Sequence, residues 1–205
     1  MNNHVLAPHP EAVEQYRELF KLHGHSPRAL GWPDPQQHAQ RLHALSKQIL
    51  PGDSVLDFGC GLGFLLAMFD QIRSQVIYTG VDVMPEFIEA CGEAFKDRAE
   101  PALFMRIDTV FDLAAQDAFN HTVCCGVFNY KGPRRAVEHD GHVLSNLHAL
   151  WNLTDVALHV DFLAPDVDYK EPHLHYQSIH TLLNWMKPLD CRRWSIDRSY
   201  LPNEY

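Results

Sequence analysis

Apolar positions in the first fifty residues recur at helical spacing. Between Glu11 and Leu22, Val13, Tyr16, Leu19 and Phe20 fall on one face, and Gly24 and Pro27 stop the run. After a loop holding Gly31, Trp32, Pro33 and Pro35, Leu42, Leu45 and Ile49 mark a second amphipathic helix from Gln36 to Leu50, ended by Pro51-Gly52. The period then changes. Short apolar runs at Ser54–Phe58, Val76–Val83, Leu103–Ile107 and Thr122–Phe128 read as strands. So does Asp155–Leu163, a longer run interrupted by His159 and Asp161, while Arg193–Asp197 is a weak final strand. Helical patterns lie between them at Phe64–Ile72, at Pro85–Asp97 with proline in the first position, at Val143–Leu153, and at Gln177–Lys187. The stretch between Ile107 and Thr122 follows neither period.

Strands that are apolar on both faces and alternate with helices build a parallel sheet covered on two sides. The expected class is α/β, a doubly wound, mostly parallel sheet. Residues 1–50 form a helical preface and 51–205 the main domain.

Composition narrows the function. The chain has 205 residues, 46% of them hydrophobic and 21% charged, which is ordinary globular usage and supports one sizeable core. A formal charge of −9 argues against nucleic acid as partner, because phosphate contacts need a basic face. No apolar run is long enough to span a membrane, and no charged start leads into an apolar stretch. Five cysteines without CxxC spacing suit a reducing cytoplasm better than a disulfide framework or a structural zinc site.

The chemically informative segment is Val55-Leu56-Asp57-Phe58-Gly59-Cys60-Gly61-Leu62-Gly63-Phe64. An apolar strand enters a loop with glycines at alternate positions, and a helix follows at once. Such turns lie at the carboxyl ends of strands, where open α/β sheets bind ligands. The spacing departs from the dinucleotide fingerprint GxGxxG, because the third glycine comes one position early. Asp57 would also repel a diphosphate. It suits an ammonium group.

With these residues the sequence resembles the class I S-adenosylmethionine-dependent methyltransferases, whose acidic, glycine-rich first motif is matched by Asp57, Gly59, Gly61 and Gly63. The resemblance implies a Rossmann-like fold and S-adenosylmethionine as methyl donor, with S-adenosylhomocysteine as product. It implies that Asp82, with Val83 beside it, ends the second strand at the ribose hydroxyls, and that Asp108 meets the adenine amino group. Gly31-Trp32, Gln40-Arg41, Cys124–Asn129 and Asp168–Tyr176 resemble segments of a bacterial subgroup. Arg41 is then expected to grip the methionine carboxylate bidentately, and Trp32 to flank the cofactor or pack as a hinge.

Asn129 and Tyr130 are expected at the end of the fourth strand, beside the transferred methyl, where an amide oxygen can orient a nucleophile. His173 and His175, in a loop over the site, are candidate proton acceptors. A metal is not expected, for want of ligand spacing. The acceptor is read as a small molecule with an oxygen or nitrogen nucleophile.

The resemblance also implies a closing β-hairpin, yet the sequence ends near Asn203-Glu204-Tyr205, so the terminal strand is expected to be missing. The edge left open would call for a covering partner or a second copy. Two other readings stand beside this one: a methyltransferase-like subunit that holds cofactor without turnover, and a nucleotide-dependent oxidoreductase.

Overall fold

The computed structural model describes residues 8–191 and 193–205; the first seven residues of the expected preface lie outside that range. Proline and a capping acceptor begin each of the first two helices. In α1 (Pro10–His23) the His9 ring accepts from the Glu11 N–H, and in α2 (Pro35–Ser46) the Asp34 carboxylate accepts from Gln36 N at 2.8 Å and Gln37 N at 3.3 Å. A 3-10 turn, Pro27–Leu30, joins them.

Five strands follow: β1 (Ser54–Phe58), β2 (Ile77–Asp82), β3 (Leu103–Arg106), β4 (Phe119–Cys124) and β5 (Thr154–Val160). They pair in parallel in the order β3-β2-β1-β4-β5, with Val55 beside Tyr78 on one flank and His121 on the other. Four more helices cover the sheet: α3 (Phe64–Gln71), α4 (Pro85–Ala94), α5 (Ala136–Trp151) and α6 (Ile179–Met186). This is the Rossmann-like, doubly wound architecture expected. Strand order reverses between β1 and β4, so the ligand crevice of such a sheet lies over the carboxyl end of β1.

Alternation along β1 sends residues to two cores. Leu56 and Phe58 join Val143, Leu147 and Leu150 of α5 on one face. Val55 joins Leu65, Leu66 and Phe69 of α3, and Leu42 and Leu45 of α2, on the other. A third cluster packs Val13, Tyr16 and Phe20 of α1 against Met84 and Phe87 at the start of α4.

Three elements differ from expectation. The fourth strand runs Phe119–Cys124, so its end comes before Gly126, not at Asn129. Helix α5 begins at Ala136, because the Glu138 carboxylate caps the Arg135 N–H at 3.2 Å and fixes a start that hydrophobic periodicity does not show. Residues 193–197 form no strand. The C-terminal residues do pair, although only over one bridge. Glu204 lies antiparallel to Leu163, with Tyr205 N donating to Phe162 O at 3.0 Å and Ala164 N to Asn203 O at 2.8 Å. That bridge covers the continuation of β5, while β5 itself keeps Val156 62% exposed on the edge.

Candidate active site

One cleft opens over the carboxyl ends of β1 and β2. Asp57, Gly59 and Gly61 line it, together with Asp82, Val83, Asp108 and Trp32. Gly63 does not; it is the N-cap of α3, at φ +74°, where a Cβ would lie 2.7 Å from the Phe95 ring. Only glycine fits such a left-handed, crowded position without strain.

Asp82 organises the loop. One carboxylate oxygen accepts from Gly61 N and the other from Met84 N, both at 2.9 Å, tying the glycine turn to the end of β2. Each oxygen retains a lone pair for a further donor. Burial raises its pKa, opposed by those backbone bonds.

Asp57 is buried beside Asp82. The Tyr78 hydroxyl donates to it at 2.5 Å, yet burial pushes its pKa up to about 7. Among the described residues lining the cleft there is no lysine or arginine to neutralise it. Asp108 is exposed and ion-paired with Arg106 at the rim.

Arg41 is not on the cleft. Its guanidinium is buried, stacked 3.8 Å from the Trp32 ring centroid, with Nε donating to Glu204 Oε2 at 2.6 Å and Nη2 to Glu204 Oε1. The ligand carboxylate expected there is replaced by a carboxylate of the chain itself, and Asp161 Oδ2 stands 3.7 Å from Nε. Trp32 reaches the cleft over Gly126, where a Cβ would meet the indole at 2.5 Å.

The expected catalytic set is dispersed. Because β4 ends early, Asn129 lies in the following turn, buried behind the cleft wall. Its Nδ2 donates to Asp161 Oδ2 at 2.9 Å, whereas its Oδ1 has no hydrogen-bond partner among the described residues. Asp161 also accepts from Gly126 N at 2.5 Å, and its pKa is pushed up to about 6, chiefly by burial. Tyr130 and His173 contact one another through their rings, 5.5 Å apart, off the cleft. His175 is buried, its Nε2 3.0 Å from Asp140 Oδ1, and burial lowers its pKa to about 4.

Residues that the sequence did not single out complete the walls. Tyr16 comes from α1, His38 from α2, and His142 and Asn146 from α5. Burial, reinforced by the Asp82 carboxylate, pushes Tyr16 up to about 12, so its hydroxyl stays protonated. The apolar period did not single out the α5 pair, since His142 lies just ahead of the Val143–Leu153 pattern. Among the described residues no cluster of three or more His, Cys, Asp or Glu side chains is placed to hold a metal ion, and no helix is long and apolar enough to cross a membrane.

Comparison with known proteins bears on the domain and the fold. Residues 56–151 match a family model described as a methyltransferase domain. The chain is 32% identical over 99 residues to "Putative methyltransferase Rv1506c" of Mycobacterium tuberculosis, covering 47% of this chain and 55% of that one. It is 27% identical over 128 residues to the ubiquinone biosynthesis O-methyltransferase of Xanthomonas campestris, covering 57% and 52%. The chain thus spans about half the length of the curated relatives it matches. In fold it is similar to the magnesium protoporphyrin IX methyltransferase of Synechocystis with bound SAH (TM-score 0.58, 16% identity, 88% of this chain and 84% of that one). It is also similar to an S-adenosylmethionine-dependent methyltransferase of Clostridium acetobutylicum (TM-score 0.57, 12% identity, 92% and 96%). Residues 56–151 thus match the methyltransferase domain model, and the chain shares the Rossmann-like fold of solved S-adenosylmethionine-dependent methyltransferases.

Proposed function

We propose that this protein transfers the methyl group of S-adenosylmethionine to an oxygen or nitrogen nucleophile on a small molecule. The observation that carries the reading is Asp57, a buried carboxylate on the cleft with no cationic neighbour among the described lining residues. The cofactor's ammonium group supplies that charge. Asp82, already fixed by two backbone N–H groups, has lone pairs left for the ribose diol, and Asp108 stands at the rim for the adenine.

The sulfonium is an activated donor, so the chemistry it brings is methyl transfer itself. The chain's part is to bind, align and exclude water. Trp32 and the helices of residues 1–50 close one side of the cleft as a lid, with Tyr16, Leu30 and His38 on its inner face. Behind the cleft wall, the Asn129 amide nitrogen donates to Asp161 and its buried oxygen has no donor among the described residues.

A second reading, a cofactor-binding subunit without turnover, is favoured by one observation: Asn129, Tyr130, His173 and His175 all lie off the cleft. Isothermal titration with S-adenosylmethionine and S-adenosylhomocysteine, repeated on Asp82→Ala, tests the shared premise. Micromolar binding abolished by the substitution supports both readings, and homocysteine release with candidate acceptors then separates them. Folded protein that binds neither ligand overturns both.

A further inference from the structure

The methionine half of S-adenosylmethionine ends in two opposite charges, an ammonium and a carboxylate, and the cleft is furnished for only one of them. Asp57, Asp82 and Asp108 line it, whereas no lysine or arginine among the described residues does. Asp108 is answered by Arg106 at the rim, and Asp82 by two backbone N–H groups. Asp57 is buried and has the Tyr78 hydroxyl for a partner, so it is the carboxylate that gains most from a cation.

Two features could hold a ligand carboxylate, and the protein itself occupies both. The first is the glycine loop, since successive backbone N–H groups form anion-binding nests. Here Gly59 N and Cys60 N donate to Val81 O at 2.8 and 2.9 Å, Gly61 N donates to Asp82, and Gly63 N to Cys60 O at 2.9 Å. The second is Arg41, stacked on Trp32 behind the cleft wall. Its Nε and Nη2 donate to Glu204, while Nη1 is buried without a hydrogen-bond partner among the described residues. The guanidinium faces two carboxylates, Glu204 and Asp161, so the group offers an incoming anion no net positive charge. A ligand carboxylate would be desolvated there without compensation.

We propose that the cleft recognises its cofactor through the nucleoside and the ammonium group and gains nothing from the carboxylate. It therefore also takes adenosyl thioethers and sulfoniums that carry an amine and no carboxylate. This rests on the methyltransferase reading above and adds a ligand class to it, the decarboxylated, amine-terminated relatives of the cofactor. Asp57 is then the specificity-determining residue, selecting cation over anion at the end of the ligand chain.

Four thioethers of 5′-deoxyadenosine separate the two charges. S-adenosylhomocysteine carries both, the aminopropyl thioether the ammonium alone, the carboxypropyl thioether the carboxylate alone, and methylthioadenosine neither. Isothermal titration is expected to show the aminopropyl compound binding as tightly as S-adenosylhomocysteine or more so, and about tenfold or more tighter than the carboxypropyl compound. Asp57→Asn, checked by calorimetry to be folded, should reduce the advantage of the aminopropyl compound over methylthioadenosine to about twofold or less. S-adenosylhomocysteine binding about tenfold tighter than the aminopropyl compound overturns the proposal and places the carboxylate on Arg41 or the amino end of α3. So does a carboxypropyl compound that binds as well as the aminopropyl one, or an amine preference that survives Asp57→Asn. Folded protein that binds none of the four overturns the methyltransferase reading itself, which keeps the two failures distinct.

Discussion

The Arg41 guanidinium and the Glu204 carboxylate form a buried bidentate pair across 163 residues of sequence, joining the second helix of the preface to the bridge beside Leu163. Both side chains are more than nine-tenths buried, so each charge depends on the other. Removing one partner of a buried pair costs about 3–5 kcal/mol. Arg41→Met should approach that loss, because it strands Glu204 and Asp161 together. Glu204→Gln should lose less, because Asp161 still faces the guanidinium. Urea denaturation of both variants and of the double variant checks the order; equal losses would contradict it.

Asp82 has a structural and a ligand-binding part that two substitutions separate. Asp82→Asn keeps one acceptor for Gly61 N or Met84 N but removes the charge; Asp82→Ala removes both bonds. Hydrogen bonds to a charged group are worth about 1.5–3 kcal/mol each. Asp82→Ala should therefore lower the melting temperature as well as S-adenosylhomocysteine affinity, whereas Asp82→Asn should lower mainly affinity. Calorimetric melting and isothermal titration of the same samples decide.

Burial holds Asp57 at about 7, above the roughly 3.9 of an unfolded aspartate. The folded state therefore binds this proton more tightly. The resulting stability is present in full below about pH 4 and is lost as pH rises toward 7, by at most about 1.4 kcal/mol per unit. Asp57→Asn removes this dependence, so its stability relative to the unsubstituted protein should improve from pH 4.5 to about 7 and level off above it. A difference that stays flat over that range would show Asp57 to be ionised throughout.

Four histidines act in the opposite sense. Burial lowers His38, His139, His159 and His175 to about 4. Each favours the folded state above the unfolded value of about 6.5, and that contribution fades as pH falls toward 4. Acidification through this window should therefore unfold the protein despite the contrary slope of Asp57. Tryptophan fluorescence against pH, with His139→Gln and His175→Gln for comparison, should show a midpoint shifted to lower pH in the variants.

Gly63→Ala places a methyl group at φ +74° and 2.7 Å from the Phe95 ring. Strain of this kind costs about 1–3 kcal/mol. A drop in melting temperature is expected even without ligand, because Gly63 caps α3 and does not line the cleft.

The alternation of strands and helices along the chain, the glycine turn and the place of Asp82 at the end of β2 were legible in the sequence because each depends on neighbours a few residues away. The apolar period of β1 and β2, Pro85 at the first position of α4, and glycine at a left-handed turn are local requirements. The candidate acceptor side was less legible. Asn129 was expected at a strand end, but β4 stops five residues sooner, since its length is set by pairing with β1 and β5. His142 gave little sign of itself, lying just ahead of the helical pattern as the sequence showed it.

The sequence by itself determined a doubly wound sheet with a glycine loop and two carboxylates at its ligand-binding end, since hydrophobic period and turn chemistry act over short distances. Tertiary structure alone decided which charges meet. Arg41 is buried against Glu204, Asn129 is turned toward Asp161, and Asp57 is left without a cation among the described lining residues. Pairings of that kind depend on how distant elements pack, and burial then fixes what each charge is worth.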